Sequence, residues 1–336
     1  MMDRLTLVKR ILGLAVLIVA LGFPLIVTQP TMVNFAILIL MAAQLGVAWN
    51  ILGGYAGQVS LGHAVFYGIG AYTSSVLAAK FGLSPWLGML AGGAIASGFA
   101  LLIGWPCFRL KGHYFAMATL AIAAIVEVLV TNWDYVEGAI GIYLPMTNSG
   151  WAGMVFTRSK TPYFYIALGL LLLSLLVSRI LQKSYIGYYF RAIKEDPDAA
   201  RSLGINLARY KLVAIAASAF LTAMGGTLYA QKELFIDPGS VLAGSLSIKI
   251  ALIAILGGVG TLFGPVVGAL VLIAIEEFTR QIFGSTGMGT DMIIYGGIIV
   301  IIAMFSPGGI AGLLGEWERA WRARRKLVYT PPGDGI

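Results

Sequence analysis

A chain of 336 residues with 59% hydrophobic side chains, only 11% charged ones and a net charge of +8 departs sharply from soluble domains, in which roughly a quarter of residues are charged. No Asp, Glu, Lys or Arg occurs between Arg10 and Lys80, and 43 glycines are spread along the chain. Glycine is more frequent in membrane helices than in soluble ones. The composition reads as an all-α polytopic membrane protein and excludes a soluble enzyme, a DNA-binding domain and a disordered chain. The basic excess is therefore read as a topology signal and not as a nucleic-acid surface. Cys107 is the single cysteine, so neither a disulfide framework nor a cysteine zinc site is available.

At the N-terminus, Arg4, Lys9 and Arg10 precede an apolar run that reaches Val27 without a small-x-small cleavage site. It is expected to be a retained first membrane helix. A span needs about 20 apolar residues, and ten segments approach that length: 11–28, 32–50, 64–79, 86–105, 113–132, 162–180, 212–231, 245–262, 265–279 and 291–306. Gln29-Pro30, Ser84-Pro85, Arg109 to Lys111, Trp133 to Pro162 and Gln182 to Lys211 mark breaks, as do Lys232 to Gly239, Gly264-Pro265 and Gly284 to Gly289. Residues 1–315 are expected to form one permease domain with an inner loop at 181–211, and 316–336 a basic tail whose Trp317 and Trp321 suit an interfacial helix.

Counting Lys and Arg with the N-terminus inside gives seventeen inner against five outer residues, the latter being Lys80, Arg158, Lys160, Lys232 and Arg280. That bias places both termini in the cytoplasm. Eight spans would give the same end locations. The long outer loop 133–161, with Trp133, Tyr143 and Trp151, suits an interfacial lid.

Three segments stand out. NILGGYAGQVSLGH, from Asn50 to His63, sets Gly53, Gly54, Gly57, Gln58, Ser60 and His63 within an apolar stretch. Such a segment is either a broken or re-entrant element beside a translocation path or a close-packed helix contact. ILGGVGTLFGP, from Ile255 to Pro265, repeats the ILGG and contributes Gly257, Gly258 and Gly260. Paired interrupted segments in two halves of a chain point to a transporter's central pathway. Its Gly-x-Gly is no nucleotide fingerprint, because no strand or acidic partner accompanies it. The third is the loop from Gly187 to Lys211. Asp196 caps a helix beginning at Pro197, Asp198 favours the positive dipole end, and Gly204 supplies the stop. Such a helix, presenting Ala199 and Leu203 on one side, is too short to stand alone and gains from docking.

Asp198-Ala199-Ala200, three residues, then Gly204 resembles the EAA-x3-G loop of ABC-importer permeases, which forms the coupling helix seated on the ATP-hydrolysing subunit. With NILGGYAGQVSLGHAVFYGIGAY and ILGGVGTLFGPVVGA in the same order, the chain resembles the LivM-type permease of branched-chain amino-acid importers over nearly its whole length. Asp198 stands where that motif has Glu, and the I-x-L-P ending of the longer motif is missing. The resemblance implies a type II, vitamin-B12-importer-like helical arrangement in the bacterial cytoplasmic (inner) membrane. It implies a LivH-type second permease, two cytoplasmic ABC ATPases and a periplasmic substrate-binding protein as partners. ATP and Mg would sit on those partners, with no cofactor on this chain. It assigns ATPase coupling to Arg191, Asp196, Asp198, Ala199, Ala200, Leu203 and Gly204, and the substrate pathway to the glycine-broken segments. A urea or short-amide permease is the nearest alternative; Gly258-Val259-Gly260 lacks the arginine of its GGRGTL, which favours amino acids.

Consistent with that division of labour, no Lys follows a Gly anywhere in the chain, so a phosphate-cradling loop is missing, and no catalytic arrangement is evident. His63 and His113 are too few and too far apart to suggest a metal site. Glu127 and Lys249 fall inside predicted spans, where charge costs a few kcal/mol. They either lie at the interface or face a wet path. In the second case they would carry the coupling charge of an ion-driven secondary transporter, the competing class. Glu276, Glu277 and Asp291 fall near the outer face, where they could receive a binding protein.

Overall fold

The computed structural model describes residues 19–27, 29–146, 150–157, 159–283, 296–297, 300, 309–310 and 312. Within them, proline and glycine punctuate the helices as the sequence leads one to expect. Helix α1 covers residues 19–26. Helices α2 (Pro30–Asn50), α4 (Pro85–Cys107) and α6 (Thr161–Lys183) each carry proline in the first turn, where its missing N–H has no partner to lose. Helix α3 (His63–Phe81) ends on Gly82 in the left-handed region, with the Leu83 N–H bonded to the Leu77 carbonyl. Helix α5 (His113–Thr131) follows Gly112.

After α6 the chain forms α7 (Tyr185–Glu195), α8 (Pro197–Ser202) and the long α9 (Leu207–Glu233). A turn, α10 (Pro238–Val241), leads to α11 (Gly244–Gly257) and α12 (Gly264–Phe283). Six helical stretches among the described residues are long and apolar enough to cross a membrane: Pro30–Tyr55, α4, α5, α6, α9 and Pro238–Gly257. The architecture is thus mostly helical and polytopic. The anticipated span 291–306, residue Asp291 and the tail 316–336 lie largely or wholly outside the described residues.

Two boundaries differ from the sequence expectation. The stretch 245–262 is not one helix, because α11 stops at Gly257 and Gly258 and Gly260 take φ of 124° and 82°, values that other residues rarely adopt. The 181–211 loop is more ordered than one short helix, since α7 occupies its first half. Its pattern buries Phe190 and Ile193 completely.

The helices pack in two groups that share α2 and α9. Helices α3, α4 and α9 cross one another closely, while α2 lies against α6, α11 and α12. A Cβ on Gly70 would come within 2.0 Å of the Ala223 carbonyl oxygen, and one on Gly226 within 2.0 Å of that of Tyr67. The α3–α9 crossing is therefore backbone against backbone, as small residues permit in membrane proteins.

The loops gather at two ends. At one, Lys111 pairs with Asp198 and Lys194 overlies Gly57. This end holds Arg109, Lys111, Lys183, Arg191, Lys194, Arg201 and Arg209 and is called the basic end below. At the other, the described residues of the 133–157 loop are stitched down. A two-stranded antiparallel ladder pairs β1 (Ile142–Tyr143) with β2 (Phe235–Ile236). Ser84 Oγ and Trp86 Nε1 donate to the carbonyls of Ala152 and Trp151. Trp133, Tyr143 and Trp151 stay exposed, as an aromatic belt requires.

Gly226→Ala forces a methyl into the Tyr67 backbone and is expected to cost about 1–3 kcal/mol by overpacking, read as a lower Tm of the detergent-solubilised protein. Gly98→Ala, where a Cβ meets nothing within 4 Å, leaves the Tm unchanged.

Candidate functional site

Helix α2 does not end cleanly. Its last turn widens into a π-helix over Ile51–Tyr55, a feature concentrated at functional sites. The Trp49 ring lies where a Cβ on Gly53 would sit, and the Asn50 amide and Gly260 N–H lie where one on Gly54 would sit. Residues 51–56 are all buried. Gly57, at φ +68°, then turns the chain back into the protein.

The returning strand of backbone is re-entrant. Trp49 Nε1 donates to the Ser60 carbonyl at 2.8 Å. His63 Nε2 lies 2.8 Å from Ser218 Oγ, which itself donates to the Ala48 carbonyl at 2.7 Å. The Ser218 proton is therefore used, so His63 must donate through Nε2–H. His63 is thus tied through Ser218 to the Ala48 turn of α2, deeper in the protein than Tyr55. The N–H groups orphaned at the start of α3 are met by side chains. Ser60 Oγ accepts from Gly62, Thr119 Oγ1 from Leu61 at 3.0 Å, and Ser247 Oγ from Ala64 at 2.8 Å. Gly57 and Gln58 are half-buried and Val59 is exposed.

The second glycine segment meets the first. Asn50 Nδ2 donates to the Thr261 carbonyl at 2.8 Å, and Asn50 Oδ1 accepts from the Gly260 N–H at 2.8 Å. One side-chain amide thereby satisfies both a donor and an acceptor left free by the break between α11 and α12. Thr261 Oγ1 accepts from Gly264 N–H at 3.0 Å and starts α12. Gly257 and Gly258 are buried and Gly260 is half-buried. Gly257 lies so close to α12 that a Cβ would stand 1.9 Å from the Gly264 carbonyl oxygen.

Both segments face α7. The Lys194 alkyl chain crosses Gly57, and its ammonium lies beside Gly260, 3.2 Å from where a Cβ there would stand. A cavity of about 370 Å³ opens here between Gly54, Tyr55, Gly187, Arg191, Lys194 and Gly260. Arg191 is exposed over the Tyr188 ring at 4.8 Å. Beyond α7, Asp196 Oδ1 accepts from the N–H groups of Asp198 and Ala199 at 2.9 and 3.0 Å. Gly204, at φ +82°, closes α8, with the Ile205 N–H bonded to the Ala200 carbonyl. Ala200 is buried, whereas Asp198, Ala199 and Gly204 are exposed and Leu203 is 80% exposed.

The residues singled out from sequence thus fall into one connected region at the basic end, except Ser60 and His63, which lie deeper. Asn50, Trp49, Lys194 and Ser218 complete the region and were not singled out. Asn50 opens the first motif, and its polarity amid apolar neighbours was the available signal. The two charges at depth separate: Lys249 pairs with Glu276 at 2.6 Å, while Glu127 is half-buried with no ion pair among the described residues. Among the described residues no group of three or more His, Cys, Asp or Glu is placed to hold a metal ion.

Comparison with known proteins follows the same lines. Residues 31–303 match the family described as branched-chain amino acid transport system / permease component. The chain is 30% identical over 330 residues to the high-affinity branched-chain amino acid transport system permease protein LivM of Escherichia coli (strain K12), covering 92% of this chain and 76% of that one. It is 28% identical over 289 residues to the high-affinity branched-chain amino acid transport system permease protein BraD of Pseudomonas aeruginosa, covering 80% and 91%. Permease protein LivH of Escherichia coli (strain K12) is 25% identical over 288 residues, again covering 80% and 91%. No solved structure matches the chain.

Replacing Asn50 tests the junction. Asn50→Leu removes the hydrogen bonds to the half-buried Gly260 N–H and the Thr261 carbonyl, at about 1 kcal/mol each, and is expected to lower the Tm of the purified protein. Asn50→Asp keeps the acceptor for Gly260 and falls between Leu and wild type.

Proposed function

The chain belongs to the branched-chain amino acid transport system permease component family, and from that premise we propose that it is one of two membrane subunits of an ATP-driven, binding-protein-dependent importer for leucine, isoleucine or valine. The observation that carries the reading is α8: a side-chain-capped helix of six residues at the basic end, with Ala199 and the following Leu203 outward and nothing among the described residues covering Leu203. A helix this short has little stability of its own, and its apolar outward face suits a groove on a separate ATPase.

In this proposal the basic end faces the cytoplasm of a bacterial inner membrane, as the Lys and Arg partition favours. The loop 181–211 is the coupling loop. A LivH-type permease, two ABC ATPases holding ATP and Mg, and a periplasmic binding protein complete the assembly, with the two permeases in a type II arrangement. No phosphate loop occurs in the sequence, which supports placing hydrolysis elsewhere.

A mechanical route follows from the geometry. Closure of the ATPases displaces α8, and α8 adjoins α7 with only Asp196 between them. Through Lys194, α7 bears on Gly57 and Gly260, where the two broken segments are clasped by Asn50. A shift of α7 therefore reaches α2, α3, α11 and α12 at one point. The partly exposed stretch Gly57–Val59 borders the path, and rocking of these helices alternates its two openings.

The test is uptake by proteoliposomes holding both permeases and both ATPases. Radiolabelled leucine is expected to enter only with internal ATP and external loaded binding protein. Leu203→Glu, on a side chain that makes no core of its own, is expected to cut uptake at least tenfold at unchanged Tm and to abolish stimulation of ATP hydrolysis by the loaded binding protein. Unchanged uptake by this variant, or uptake driven by an ion gradient without ATPases, would refute the proposal.

A further inference from the structure

At the end opposite α8, a cavity of about 500 Å³ opens between α2, α9, α11 and α12. Its rim carries Lys232, Glu233, Lys249, Glu276, Glu277 and Arg280, three cations and three anions. Its floor is aliphatic, made by Leu38, Leu45, Ile253 and Ile273. The central pair joins two helices: Lys249 Nζ lies 2.8 Å from Glu276 Oε1 and 2.6 Å from Oε2. Lys232 pairs with Glu233 and Arg280 with Glu277.

We propose that this cavity is a receiving site for a zwitterionic α-amino acid with an aliphatic side chain. The inference rests on the cargo reading above and adds to it where the cargo first meets this subunit.

Lys249 lies five residues into α11, about 7.5 Å along its axis, and charge at such depth marks a functional site by default. The fold does not require the pair, since an ion pair this open to solvent adds little to stability. The side chains are 32% and 42% exposed, so a ligand in the cavity reaches both. A zwitterion matches what it meets. Its carboxylate accepts from Lys249 and its ammonium donates to Glu276, each replacing one half of the existing pair. Neither protein charge is left unpaired, whether the cavity is empty or filled. Its aliphatic side chain then lies on Leu38, Ile253 and Ile273. A ligand with net charge would strand one partner, which is expensive in low dielectric, and a neutral amide would not replace the ion pair.

The experiment uses the complete transporter in proteoliposomes, with loaded binding protein outside and leucine uptake as the readout. Lys249→Met, Glu276→Gln and the double variant Lys249→Met/Glu276→Leu are each expected to lower uptake at least tenfold, with the double variant's Tm equal to that of wild type. Leu38→Trp, which fills the floor and leaves the ion pair intact, is expected to do the same. Recovery of wild-type uptake in the double variant would make the pair a structural fastener and overturn the site, as would wild-type uptake by Leu38→Trp. A wild-type complex that imports no aliphatic amino acid would overturn the cargo reading, and this site with it.

Discussion

A helix interrupted inside an apolar protein leaves backbone N–H and carbonyl groups without a helical partner, and where water does not reach them a side chain brought from elsewhere must meet them. This chain interrupts its helices at Tyr55–Gly62 and at Gly258–Phe263, and the rest of the architecture answers those interruptions. Asn50 supplies both an acceptor and a donor to residues 260–261. Trp49, Thr119 and Ser247 satisfy the re-entrant stretch from three different helices. Because α2, α3, α5, α11 and α12 all contribute, the breaks are the points where the bundle is tied together.

The molecule is also polarised along its long axis. The basic end gathers the amphipathic α7, the capped α8 and the clasp between the two glycine segments. The opposite end gathers exposed aromatics, a short β-ladder and three ion pairs around an aliphatic floor. A disturbance of α7 is felt at the clasp because Lys194 spans the gap between them, its stem on Gly57 and its ammonium at Gly260. Gly57 and Gly260 also need their positive φ, whereas at Gly54 glycine serves contact alone. Any side chain on Gly54 would collide with the Asn50 amide and separate the two segments.

Much of this was legible in the residues. Proline at Pro30, Pro85, Pro162 and Pro197 begins helices because it lacks an N–H that the first turn never uses. Gly82 and Gly204 end helices because they alone accept a left-handed backbone without strain. The Asp196 cap was visible because capping acts within three residues. Helix α7 was less visible, since its apolar positions alternate with tyrosine and basic residues over only eleven positions. Lys249 was read as interfacial or path-facing, and the structure supplies its partner, Glu276, twenty-seven residues on.

Membrane residence, the helical class and most helix ends follow from local terms: hydropathy over some twenty residues, caps, and the stereochemistry of proline and glycine. The meeting of the two ILGG segments, the tautomer of His63 and the ring of charges around the far cavity follow from contacts that span tens to hundreds of positions. In helices that are apolar on every side, no periodicity in the residues marks which face will be covered by protein. Close packing of one backbone against another settles it, through the few places where a glycine lets them touch.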